Sequence, residues 1–87
     1  MQKKEVTIKL KSHVDARPAA MLVQVASRFR SEIHVELDNK CMNAKSIMGM
    51  MSLGLDTGET VIITTEGADE EEAMQEIEAY LTHKAVG

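Results

Sequence analysis

Aromatic side chains are almost missing from this chain: among 87 residues there is one tyrosine, one phenylalanine and no tryptophan. A surface that stacks unpaired bases needs aromatic platforms, and one that holds a phosphate backbone needs clustered cations. With 14 acidic against 10 basic residues the net charge is −4, the wrong sign for the second task. Direct nucleic-acid binding is therefore not expected. A single cysteine, Cys41, has no partner for an internal disulfide. No apolar run approaches the roughly 20 residues that span a bilayer, and the first residues lack the apolar core of a signal peptide, so a soluble cytoplasmic protein is expected. The length suits one small domain over 1–87 with one core, and leaves no room for a separate catalytic domain.

What is present is periodicity. Glu5, Thr7 and Lys9 alternate with Val6, Ile8 and Leu10, the pattern of a strand with one face buried. From Arg17 onward, Ala19, Leu22, Ala26 and Phe29 recur at spacings of three and four, with Pro18 suited to a first helical turn. They predict an amphipathic helix of about three turns. Ile33, Val35 and Leu37 alternate again, and Asp38-Asn39 predicts a tight turn into a short strand over 40–43. Ser46 stands at the cap position of a short apolar helix carrying Ile47, Met48 and Met51, and Gly54 and Gly58 bracket its exit. Residues 61–65 are rich in β-branched side chains and predict a buried strand. Asp69 with Glu72 three residues later predicts an acidic capping box, followed by a helix with Ala73, Ile77, Tyr80 and Leu81 on its inward stripe. The order βαββαβα, with one apolar stripe per helix, predicts an α/β (α+β) fold whose helices share one face of a sheet. Cys41 is expected to be a small packing residue. His34 and His83 stand without spaced partners, so neither a metal site nor a cofactor is expected.

Two segments carry a more specific message. His13-Val14-Asp15-Ala16-Arg17-Pro18 and Lys45-Ser46-Ile47-Met48-Gly49 resemble the HPr family of bacterial phosphocarrier proteins. The hallmark of that family is Gly, an aliphatic residue and His-Ala-Arg-Pro, with a regulatory Ser-Ile-Met-Gly later. Here Asp15 stands where the family has its phosphorylated histidine, and His13 where it has glycine. A chain that lacks the histidine and keeps the serine resembles the catabolite-repression HPr-like subgroup, Crh. The resemblance covers nearly the whole chain and implies an open-faced β-sandwich, a four-stranded antiparallel sheet with three helices on one face.

The resemblance also implies chemistry. In an HPr-like fold residue 15 lies at the start of the first helix, where free N–H groups and the helix dipole favour an anion. Asp15 would fill that place with its own charge, repel an incoming phosphate and be a weaker nucleophile than imidazole, so carrier activity is expected to be lost. His13 is displaced from that geometry by about 6 to 7 Å along an extended chain. Ser46 matches the serine that an ATP-dependent bifunctional enzyme, HPr kinase/phosphorylase, phosphorylates in the family. The phosphorylated protein is then expected to act as co-repressor of catabolite control protein A. The resemblance assigns the partner interface to Arg17, Ala20 and Gln24 on the first helix, with Met21 and Val23 as variable neighbours, and to Ile47, Met48 and Met51 on the second. Such a protein is a regulator and not an enzyme. Two alternatives stand beside it: a phosphocarrier that uses Asp15 or His13, and a constitutive interaction domain that needs no phosphate. The exposed first strand, with Lys11 to His13 as a hinge, makes a homodimer one expectation beside a monomer.

Overall fold

The computed structural model describes residues 1–9, 18–55 and 58–82. His13, Asp15, Arg17 and His83 lie outside the described residues. The elements run β1 (Gln2–Thr7), α1 (Pro18–Ala26), β2 (Glu32–Leu37), β3 (Lys40–Asn43), α2 (Ile47–Leu53), β4 (Thr60–Glu66) and α3 (Glu70–Thr82). The four strands form one antiparallel sheet in the order β1-β4-β2-β3. β4, rich in β-branched residues, is flanked by β1 and β2, so the last strand made lies inside the sheet.

Strand register sets the two faces. Val6 lies opposite Val61, and Val35 opposite Ile63; with Ile8, Ile33 and Leu37 they are buried beneath the helices. The alternate positions Glu5, Thr7, Glu32 and Thr60 are exposed on the other face. α3 packs on β1 and β4, α2 on β3, and α1 on α2 and α3, so the helices close one side of the sheet. Leu22, Val25, Met50, Leu53, Ala73, Met74, Ile77 and Leu81 supply their share of the core. The Asp38-Asn39 turn has φ of 51° and 69° at its two residues, the left-handed pair that a two-residue hairpin requires.

Four local readings of the sequence need correction. α1 ends at Ala26, before Phe29, whose N–H bonds to the Ala26 carbonyl at 3.2 Å in a turn while its ring still packs against the core. Cys41 is exposed, because the two-residue turn pairs it with Glu36 on the open face. Met74, absent from the predicted stripe, is buried in α3. Asp69 does not close a capping box with Glu72 through its side chain. Its carboxylate instead receives the N–H groups of Arg30 and Ser31, each at 2.9 Å, and the Ser31 hydroxyl. Glu70 accepts from the Gly67 N–H at 3.1 Å. Those donors hold the Asp69 carboxyl down to about 2, well below the aspartate range, with the Ser31 hydroxyl the largest cause.

Candidate functional site

Ser46 is placed by the strand before it and the helix after it. β3 is tied to β2, and the Ala44 N–H bonds to the Ile33 carbonyl at 2.8 Å just beyond the paired residues. The Asn43 side-chain oxygen then accepts the Lys45 N–H at 2.8 Å, and the Asn43 carbonyl accepts the Ser46 N–H at 3.0 Å. This is a local turn of the kind asparagine favours. It delivers Ser46 in an extended conformation, φ −102° and ψ 114°, the usual geometry of a helix N-cap.

The cap is complete. Ser46 Oγ accepts the Gly49 N–H at 3.1 Å, and the Ser46 carbonyl accepts the Met50 N–H at 2.9 Å. Gly49 serves this arrangement by having no side chain: a Cβ there would lie 3.2 Å from Met42 Cβ and 3.4 Å from Ser46 Oγ. At the far end Gly54 adopts φ 65°, the left-handed conformation that terminates helices at low cost for glycine. Met50 and Leu53 anchor α2 in the core. The opposite side carries Ile47, Met48 and Met51, all exposed, directly after the half-buried serine.

Two features here escaped the sequence reading. Lys45, half-buried, donates from Nζ to the Phe29 carbonyl at 2.7 Å, which ties the approach to α2 to the turn that follows α1. The close approach of Gly49 to Met42 is the other, and its signal was a glycine inside a helix, where only a packing reason offsets the lost propensity. On α1, which packs against α2, Met21 and Gln24 are exposed and Ala20 and Val23 are half-buried. The described part of the expected interface therefore lies on two adjoining helices, α1 and α2.

Glu70 is held below its ordinary range by the N-terminal ammonium of Met1, 2.8 Å away, and by the Gly67 N–H; the ammonium is raised in turn by Glu70. Burial raises the Tyr80 phenol. Among the described residues no three His, Cys, Asp or Glu side chains gather as a metal site, and no helix is long and apolar enough to cross a membrane.

Known proteins share this fold. The family model described as the PTS HPr component phosphorylation site matches residues 2–83. The HPr-like protein Crh of Halalkalibacterium halodurans is 53% identical over 81 residues, which is 93% of this chain and 96% of that protein. The crystal structure of the phosphocarrier protein HPr from Bacillus anthracis superposes with a TM-score of 0.85 at 51% identity, covering 92% of this chain and 95% of that one. The crystal structure of Bacillus subtilis Crh, a domain-swapped dimer, gives a TM-score of 0.75 at 44% identity over the full length of both chains. The match is thus to phosphocarrier-type proteins rather than to enzymes, and the chain belongs to the HPr family, in its HPr-like Crh subgroup.

Proposed function

We propose that this protein is a phosphoserine-switched regulator of carbon catabolite repression. HPr kinase/phosphorylase phosphorylates Ser46, and the modified protein binds catabolite control protein A as its co-repressor. The observation that carries this reading is the placement of Ser46 as the N-cap of α2 with Ile47, Met48 and Met51 exposed immediately beyond it. A phosphoryl group adds close to two negative charges and three strong acceptors at a helix start, where the dipole favours an anion and the helix need not refold. The partner supplies arginine or lysine to the phosphate and an apolar surface to the methionines. Arg17, Ala20 and Gln24 complete the surface on the α1 side. Asp15 in place of the family's histidine removes the carrier reaction. The protein acts in the cytoplasm, as one domain over 1–87. A homodimer stands beside the monomer as an expectation: the Bacillus subtilis relative is a domain-swapped dimer, and β1 lies at the sheet edge of this chain, where it could pair with a second copy.

The test is intact-mass analysis with peptide mapping after two incubations, one with the serine kinase and ATP, the other with the phosphoenolpyruvate-dependent donor system. One phosphate on Ser46 in the first and none in the second is expected. Phosphate on Asp15 or His13 returns the protein to the carriers. Repressor binding that is unchanged by Ser46→Ala makes the helix face a constitutive contact and removes the switch.

A further inference from the structure

Three methionines in and around α2 live in opposite environments. Met48 and Met51 are 79% and 67% exposed, whereas Met50 between them is fully buried. Met48 and Met51 are three residues apart, so they share one helix face, the face turned away from the core. A thioether in water is open to two-electron oxidation; one packed in a core is shielded. We propose that Met48 and Met51 form a redox-modification site, converted to sulfoxides by a peroxide-class oxidant, which disables the apolar half of the Ser46 surface whatever the state of the serine. This rests on the reading of that face as a partner contact.

The chemistry balances on the thioether. The sulfur lone pair attacks one oxygen of the peroxide, the O–O bond breaks, and a new S–O bond forms. The sulfur loses two electrons, and the other peroxide oxygen leaves as water after taking up the proton. The product is a polar, hydrogen-bond-accepting side chain where an apolar one stood. Burying such an oxygen against an apolar partner leaves it without the water that satisfied it. The fold is spared, because α2 is held through Met50 and Leu53 and through the Ser46 cap, none of which involves the exposed sulfurs. One surface thus takes two inputs, phosphate at its polar edge and oxygen at its greasy edge. Methionine sulfoxide reductases reverse the second.

The experiment uses the full chain carrying Met21→Leu, which removes the exposed methionine of α1 from the same surface, phosphorylated on Ser46 and treated with a graded series of hydrogen peroxide. Sulfoxides are mapped by mass spectrometry and affinity for catabolite control protein A is measured at each step. Met1 is also highly exposed but sits at the start of α3 through its ion pair with Glu70, so it serves as an oxidised site away from α2. Sulfoxide is expected at Met48 and Met51 well before Met50 and Met74. Affinity should fall by about tenfold or more, the equivalent of losing one buried methionine-sized contact, and recover after reductase treatment. A Met48→Leu, Met51→Leu variant in the same Met21→Leu background, whatever its starting affinity, should not change further under peroxide. Unchanged affinity once both sulfoxides are mapped overturns the inference and leaves the proposed function standing, as does oxidation of Met48 and Met51 no faster than Met50. No binding before peroxide is added counts against the proposed function and, with it, against this inference.

Discussion

Replacing Ser46 separates its job as helix cap from the proposed one as phosphate acceptor. In Ser46→Ala the Gly49 N–H loses its 3.1 Å acceptor while the Met50 N–H keeps the backbone carbonyl of residue 46. Removing a capping side chain costs about 1 kcal/mol. In a domain of this size that lowers the melting temperature by roughly 4 to 8 °C. Ser46→Asp behaves differently: aspartate caps as well as serine, and its charge at the helix start adds about 0.3 to 1 kcal/mol at low salt. Its melting temperature is expected to equal or exceed that of the parent. Ser46→Gly falls between, within a few tenths of a kcal/mol of the parent. Thermal unfolding followed by circular dichroism at neutral pH orders the four proteins, and repressor binding measured on the same samples tests the switch. The expected order of stability is Asp at or above Ser, then Gly, then Ala. An alanine variant that melts with the parent would show that the cap bond contributes nothing. An aspartate variant that melts below alanine would show that this helix start does not accommodate an anion, and the account of the phosphorylated state would fail with it.

Met50→Ala removes a fully buried anchor of α2 and should cost about 2 to 5 kcal/mol, with repressor affinity falling because the outer face is no longer held in place; chemical denaturation and binding read the two effects. Gly67→Ala should be severely destabilising, since its Cβ would lie 2.6 Å from Ser31 Oγ and 2.7 Å from Ser31 Cα, at a φ of 152°. Gly54→Ala, with open space around the same atom, should lose only the left-handed backbone cost of about 1 to 2 kcal/mol. Asp69 has a folded value depressed to about 2, so its contribution is present above the unfolded aspartate range and is lost as pH falls through about 2. Asp69→Asn should therefore show a shallower loss of stability between pH 4 and pH 2 than the parent; an identical acid limb would refute the role of the Arg30 and Ser31 donors.

Signals confined to a few neighbouring residues were legible in the sequence. The turn at Asp38-Asn39, the cap at Ser46, the alternation in β2 and the stop at Gly54 each rest on a short run of side chains. The exposure of Cys41 was readable too: a two-residue turn pairs Leu37 with Lys40 and therefore Cys41 with Glu36, outward. What escaped were choices between a near and a distant partner. Asp69 bonds across to Arg30 and Ser31 in preference to its own helix start, and Lys45 reaches Phe29. Local spacing holds no record of such pairings, because the packing of α1 against α2 and α3 decides what comes within reach. The resemblance supplied the positions of Asp15 and Arg17, and both fall outside the described residues.

The strand order has a consequence in time. β1 leaves the ribosome early, yet its register partner is β4, with Thr7 beside Thr60 and Gln2 beside Thr65. At roughly 5 to 20 residues per second, the fifty or so residues between them take about 3 to 10 s to make. Through that interval Val6 and the β1 backbone have no β4 to cover them, and the β4 of a neighbouring nascent or newly released copy offers the same hydrogen bonds. Whether β1 closes on its own chain or on another is then a race, intramolecular closure against encounter, whose outcome shifts with the local density of translation.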